Sequence, residues 1–243
     1  MKKIIILLLL AVAGVSNVMG QSGTITKKFL MGGFGLQTDT CSLSLSINNG
    51  KPTSLSLMIN HRNKNTYILA VMQGEADRHN RYKDVETRIN DFKSILDTAY
   101  HKYVEWERIA IENKVSSFSK QIGNYENMPL LNLAYVVNGI AYHPKTDWPY
   151  INSATSVFYV NQSGKSIVRL DWGKCEFERT KGYSQGFWTS YPIKEEVTCN
   201  EVFFAFNSTD ELKNLIEALD INKAKIELSK NSETNIHIDS LFK

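Results

Sequence analysis

The stretch CSLSLSI-NNGKP-TSLSLMI constrains the fold more than any other part of this chain. Leu43, Leu45 and Ile47 alternate with serines, and Leu55, Leu57 and Ile59 repeat the alternation after Asn49-Gly50. A period of two places every second side chain on one face, which is a strand pattern and not a helical one. Asn-Gly supplies the two positive φ angles that a two-residue hairpin needs. A chain that opens this way builds an antiparallel sheet with one apolar face to cover and one serine-rich face left to solvent. A second turn at Arg62 to Asn65 leads into TYILAVMQG and extends the meander.

The cover for that sheet follows directly. From Asp84 to Asn113, the residues Val85, Ile89, Phe92, Leu96, Ala99, Tyr103, Trp106 and Ala110 recur at alternating spacings of four and three. They form one apolar stripe along a long amphipathic helix. Phe92, Tyr103 and Trp106 are too bulky for a paired-helix seam, so the stripe is expected to lie across the sheet.

After Gly123 the strand pattern returns. Asn138-Gly139 marks a second hairpin in NLAYVV-NG-IAYHP, and Ser163-Gly164 marks a turn in SVFYVNQ-SG-KSIVRLDW. CEFERTK, FWTSY and EVFFAF read as further strands. Ser208-Thr-Asp-Glu211 is a capping-box pattern ahead of Leu212, Leu215, Ile216 and Leu219, which predicts a short helix. The chain is then expected to end in a hairpin, AKIEL-SKNSET-NIHI. The predicted fold is α+β: a large antiparallel sheet of meander and hairpins packed on one long helix, plus a short C-terminal helix and hairpin. No Pro/Ser-rich linker divides it, so residues 21–243 are expected to form one domain.

The first twenty residues read as a leader. Lys2 and Lys3 precede the apolar run from Ile4 to Ala13, and small or apolar residues continue to Gly20. This is the grammar of a secretory signal peptide, and the run is short for a membrane span. The expected location is therefore the periplasm or the extracellular space. Gln21 follows the expected cleavage point and the first cysteine is Cys41, so a lipoprotein is not expected, nor stable membrane insertion after cleavage. Two of the 28 basic residues lie in the leader, leaving 26 against 25 acidic ones. That balance gives a nucleic-acid partner no electrostatic basis.

Of Cys41, Cys175 and Cys199, the last two lie in neighbouring predicted strands, so a disulfide between them is the expected pairing in an oxidising compartment. No C-x-x-C or Cys/His ligand spacing points to zinc, and His61, His79, His101, His143 and His237 are scattered. No cofactor is implied. Gly32-Gly33-Phe-Gly35 lacks the lysine and the following helix of a phosphate cradle. Ser117-Phe-Ser-Lys120 matches S-x-x-K without its companion motifs.

Gly182-Tyr-Ser184-Gln-Gly186 matches G-x-S-x-G, and Asp210 and His237 follow in the Ser, Asp, His order of an α/β-hydrolase. That chemistry needs the serine on a sharp turn from a buried parallel strand into a helix. The charged CEFERTK before it and the strand-like FWTSYP after it do not supply one. An exported serine hydrolase using Ser184, Asp210 and His237 is therefore the alternative reading.

The leading reading comes from the aromatics. Twelve lie between Tyr135 and Tyr191, and Trp148, Tyr150, Phe187, Trp188 and Tyr191 fall in or beside loops. Exposed Trp and Tyr offer flat apolar faces with a polar handle, suited to a protein or glycan partner. The sequence thus predicts an exported, non-catalytic binding protein, with an inhibitor-like role as a special case. A structural component of an envelope assembly, using an exposed strand edge, is a further alternative.

Overall fold

The computed structural model describes residues 22–32, 38–60, 66–73, 75–76, 82–125, 132–145, 153–185 and 190–230. The leader and the turn at Arg62 to Asn65 lie outside these residues, as do 33–37 of the glycine-rich stretch and the segment from Asn231 onward.

The opening meander forms as its alternation requires. β1 (Gly23–Gly32), β2 (Thr38–Asn48), β3 (Lys51–Asn60) and β4 (Thr66–Gln73) pair antiparallel in sequence. Asn49 and Gly50 take φ of 49° and 73°, so both turn positions are left-handed. Leu43, Leu45, Leu55, Leu57, Ile59 and Ile68 all point to the buried face. The opposite face carries hydroxyl pairs, Thr24 with Ser46 at 3.1 Å and Thr26 with Ser44 at 2.9 Å.

After the short ladder of β5 (Glu75–Ala76) and β6 (Tyr82–Lys83) comes α1 (Val85–Glu112). The Asp84 carboxylate accepts from the Thr87 N–H at 2.7 Å and caps the helix start. That backbone bond and the Thr87 side chain hold the Asp84 carboxyl below its ordinary range. The predicted stripe is buried from Val85 through Tyr103 to Ala110, with Trp106 partly covered. The helix rests on β3, β4, β10 and β11, so it lies across the sheet.

β7 (Phe118–Tyr125), β8 (Asn132–Val137), β9 (Ile140–Pro144), β10 (Ala154–Val160), β11 (Ser166–Gln185) and β12 (Ser190–Phe206) complete a ten-stranded antiparallel sheet. Its order is β12-β1-β2-β3-β4-β8-β9-β11-β10-β7. β11 also pairs with β12, so the strands from β12 through β1 and β9 to β11 close on themselves. The closure has two thin points: Gly32 opposite Ala205 between β1 and β12, and two residue pairs between β9 and β11. β11 reaches so far because its register shifts near Gly173 and near Lys181, and Gly173 has φ of 69°. Such bulges bend and twist a long strand, letting its first half pair with β10 and its later part with β9.

α2 (Thr209–Ala218) begins at the expected capping box. The Glu211 N–H donates to Ser208 Oγ at 3.2 Å, and the Asn207 N–H donates to Glu211 Oε2 at 2.7 Å.

One expectation is overturned here. Residues 224–228 (AKIEL), given above to the first strand of a terminal hairpin, lie instead within a helix, α3, over residues 221–230. Ala224, Ile226 and Leu228 do alternate, but Ile226 is 53% exposed while Ile221, Ala224 and Leu228 are buried. The buried set runs three then four apart, which is the helical period. The NIHI segment of that hairpin lies outside the described residues. α3 packs beside β1, with Leu228 near Gly23 and Glu227 3.4 Å from Lys27. No helix among the described residues is long and apolar enough to cross a membrane.

Candidate functional site

The second half of β11 and the first half of β12 form a two-stranded arm. β11 pairs with β9 only at Phe177 and Glu178, so from Arg179 to Gln185 its sole strand partner among the described residues is β12. β12 in turn meets β1 only at Ala205. Both outer edges of the arm therefore offer backbone groups without a strand partner among the described residues.

Charged side chains line the base of this arm. Arg179 Nε donates to Glu195 at 2.8 Å, Lys194 to Glu178 at 2.7 Å, and Lys145 lies 2.6 Å from Glu196. The Arg179 guanidinium holds the Glu195 carboxyl below its usual range and stacks 5.2 Å from the Tyr142 ring. Exposed pairs of this kind each contribute little to stability. Their larger effect is on the edges, because charge along an open strand discourages pairing with another chain.

The charge stops at Lys181 on one strand and Lys194 on the other. Beyond them lie Gly182, Tyr183, Ser184 and Gln185, facing Ser190, Tyr191, Pro192 and Ile193. Tyr183 is 67% exposed, Tyr191 62% and Ile193 48%. Alternation places Tyr183 and its partner Pro192 on one face of the ribbon, and Tyr191 and Ile193 on the other, opposite Ser184 and Gly182. Both faces of the tip thus hold a large apolar group against a small residue or a proline. Burying such a side chain stabilises a contact by about 1.5–3 kcal/mol, and here that free energy is not used within the chain.

Of the predicted binding residues, Tyr191 sits on this tip. Phe187 and Trp188 belong to the four residues joining its strands, and they lie outside the described residues together with Trp148 and Tyr150. The other aromatics of that stretch divide clearly. Tyr142, Phe158, Trp172 and Phe177 are core, and Tyr135 packs on Phe177 at 5.7 Å between ring centres. Sequence reasoning missed Tyr183 and Ile193. The change from charged to uncharged residues at positions 181 and 194 was the signal that could have found them.

Ser184 occupies the middle of this tip, in extended antiparallel strand and opposite Tyr191. The strand-to-helix turn that a nucleophile elbow requires is not present at Ser184. Asp210 is exposed in the first turn of α2, and His237 lies outside the described residues. Ser117 adopts φ of 53° at a bend and Lys120 lies on β7, over the Trp106 ring at 4.5 Å, so S-x-x-K is not on a helix.

Cys175 and Cys199 are direct partners across β11 and β12, as neighbouring strands imply. The bridge expected between them is nevertheless not formed, and both are free thiols. Each sulfur leans along its own strand, 3.9 Å from the carbonyl of Gly173 or Glu201. Burial pushes the Cys175 thiol up to about 12, with Cys199 adding to the shift, and pushes Cys199 up to about 11. Such thiols are protonated and unreactive at neutral pH.

A cleft of about 330 Å³ opens between β1 and the terminal helices, lined by Lys27, Lys28, Phe29, Asn214, Glu217 and Lys223. Two of its three lysines have partners of opposite sign, Lys223 with Glu217 at 3.9 Å and Lys27 with Glu227 at 3.4 Å. Deep in the core, Tyr103 donates to the Ser166 carbonyl at 3.0 Å and approaches the Phe206 carbonyl at 3.4 Å, while Ser166 Oγ donates to Glu107. This network fastens α1 to β11 and β12. Among the described residues no group of three or more His, Cys, Asp or Glu side chains could hold a metal ion.

No family model matches the chain, and neither the curated proteins nor the solved structures compared with it contain a match.

Proposed function

We propose that this chain is an exported, non-catalytic binding protein whose contact element is the tip of the β11–β12 arm. The observation that carries the reading is the uncharged end of a projecting ribbon. Tyr183, Tyr191 and Ile193 are exposed there, beyond a base lined with charge. A solvated strand end normally carries polar or charged side chains, and apolar groups concentrated at one projecting point mark a contact surface. Tyr suits such a contact because it presents a large rigid face and loses little rotamer freedom. Tyr191, and with it Phe187 and Trp188 in the joining segment, were singled out in the sequence for the same chemistry.

The test replaces Tyr191, and separately Ile111, with a photo-crosslinking amino acid. Ile111 is 69% exposed on α1 and serves as an apolar control away from the arm. Irradiation in an envelope fraction should give discrete adducts from position 191 and none from position 111. Equal labelling at both positions, or none at either, would refute the tip as the contact element.

A further inference from the structure

We infer that the arm tip docks shallowly on a phospholipid bilayer surface, entering the interfacial layer from the side. The inference rests on the reading that the tip is the contact element, and it specifies the partner. Four residues on each strand, Gly182–Gln185 and Ser190–Ile193, carry no charge. At a rise of about 3.4 Å per residue this ribbon is about 14 Å tall. The polar interfacial layer of each leaflet is about 5–8 Å thick, less than the ribbon's length, so the ribbon enters tilted, with its backbone in the layer and its apolar side chains reaching the outermost hydrocarbon.

The side chains fit that depth. Tyr183 and Tyr191 bring amphipathic rings to the level where such rings collect, and Ile193 and Pro192 supply the apolar contact. Lys181 and Lys194 stand immediately behind the uncharged segment, at the height of the phosphates, where their stems can lie along the lipid and their ammonium groups stay in water. The ribbon's edges, which have no strand partner among the described residues, argue against deeper entry, because unpaired N–H and C=O groups are costly in hydrocarbon. They remain hydrated in the interface. Nor is electrostatics the main attraction: Arg179, Lys181 and Lys194 are nearly offset by Glu178 and Glu195. Affinity should therefore follow apolar burial and depend little on anionic lipid or salt.

Cosedimentation with extruded vesicles of phosphatidylcholine, and of phosphatidylcholine with a minority of phosphatidylglycerol, tests this on the full chain. The wild type should partition to both within about threefold, and added salt should change it by no more than that. The triple variant Tyr183→Ser, Tyr191→Ser, Ile193→Ser should partition at least about tenfold more weakly, with its circular dichroism and unfolding midpoint unchanged because all three sites are exposed. Ile111→Ser should bind as the wild type does. Three results would each overturn the lipid inference: no partition of the wild type, a triple variant within about twofold of it, or an equal loss in Ile111→Ser. Tip-specific adducts with a protein or glycan, without vesicle binding, would overturn this inference and leave the tip as the contact element. Loss of both would remove the two readings together.

Discussion

Replacing Tyr103 by Phe removes one hydroxyl from the centre of the molecule and leaves the packing intact. The ring is fully buried and meets Phe158 edge-on at 5.9 Å between centres, so Phe keeps the apolar contact. What is lost is the donor to the Ser166 carbonyl at 3.0 Å, beside the Phe206 carbonyl at 3.4 Å. Leaving a buried acceptor without its donor costs about 1–3 kcal/mol. For a chain of this size about 1 kcal/mol moves the thermal midpoint by roughly 2–4 °C. A drop of about 2–12 °C is therefore expected for Tyr103→Phe, with the urea m-value unchanged.

A pH dependence makes this prediction specific. Burial, then the nearby Glu107 carboxylate, raises the Tyr103 phenol above its ordinary value of 10.0. A group whose folded pKa is raised contributes stability that is complete below the unfolded pKa and is lost as pH climbs above it. The stability gap between wild type and Tyr103→Phe should thus be flat to about pH 10, then shrink by about 1.4 kcal/mol per pH unit. Urea unfolding followed by tryptophan fluorescence at several pH values measures both quantities. A gap below about 0.5 kcal/mol at neutral pH, or one that does not change above pH 10, would refute the assignment of Tyr103 as the anchor.

Two further predictions concern the sheet. A Cβ at Gly123 would sit 2.6 Å from the Tyr125 hydroxyl and 2.8 Å from its ring, so Gly123→Ala should displace Tyr125 from buried Ser156, which it now meets at 3.0 Å. The expected loss is about 1–3 kcal/mol in urea unfolding, and in a double-mutant cycle Tyr125→Phe should remove the share due to the hydroxyl and its hydrogen bond while leaving the ring contact. The raised thiols of Cys175 and Cys199, at about 12 and about 11 against an ordinary 9.0, should make alkylation near neutral pH at least tenfold slower in the native protein than in urea, with Cys175 the slower. Peptide mass spectrometry of iodoacetamide-treated samples reads this directly. Comparable rates in the two states would show that the thiols are not shielded as described.

The sequence alone determined the elements whose causes are local. Alternating Leu and Ser with Asn49-Gly50 left one pairing and one register open, because a slip by one residue would turn every leucine to solvent. The stripe from Val85 to Ala110 and the Ser208 cap likewise follow from the helical period and from orphan N–H groups. The terminal helix was misread where a five-residue run satisfied both periods, and only contact with β1 decided that Leu228 faces inward while Ile226 does not. The merging of β11 and β12 into one long arm depended on tertiary structure too. Segments of ordinary strand length were separable in the sequence, but bulges at Gly173 and Lys181 carry each strand past the sheet. For the same reason Tyr142 and Phe177 became core while Tyr183 and Tyr191 became surface. The side chains are chemically alike, and they are buried where β9 backs the ribbon at Phe177 and exposed beyond it.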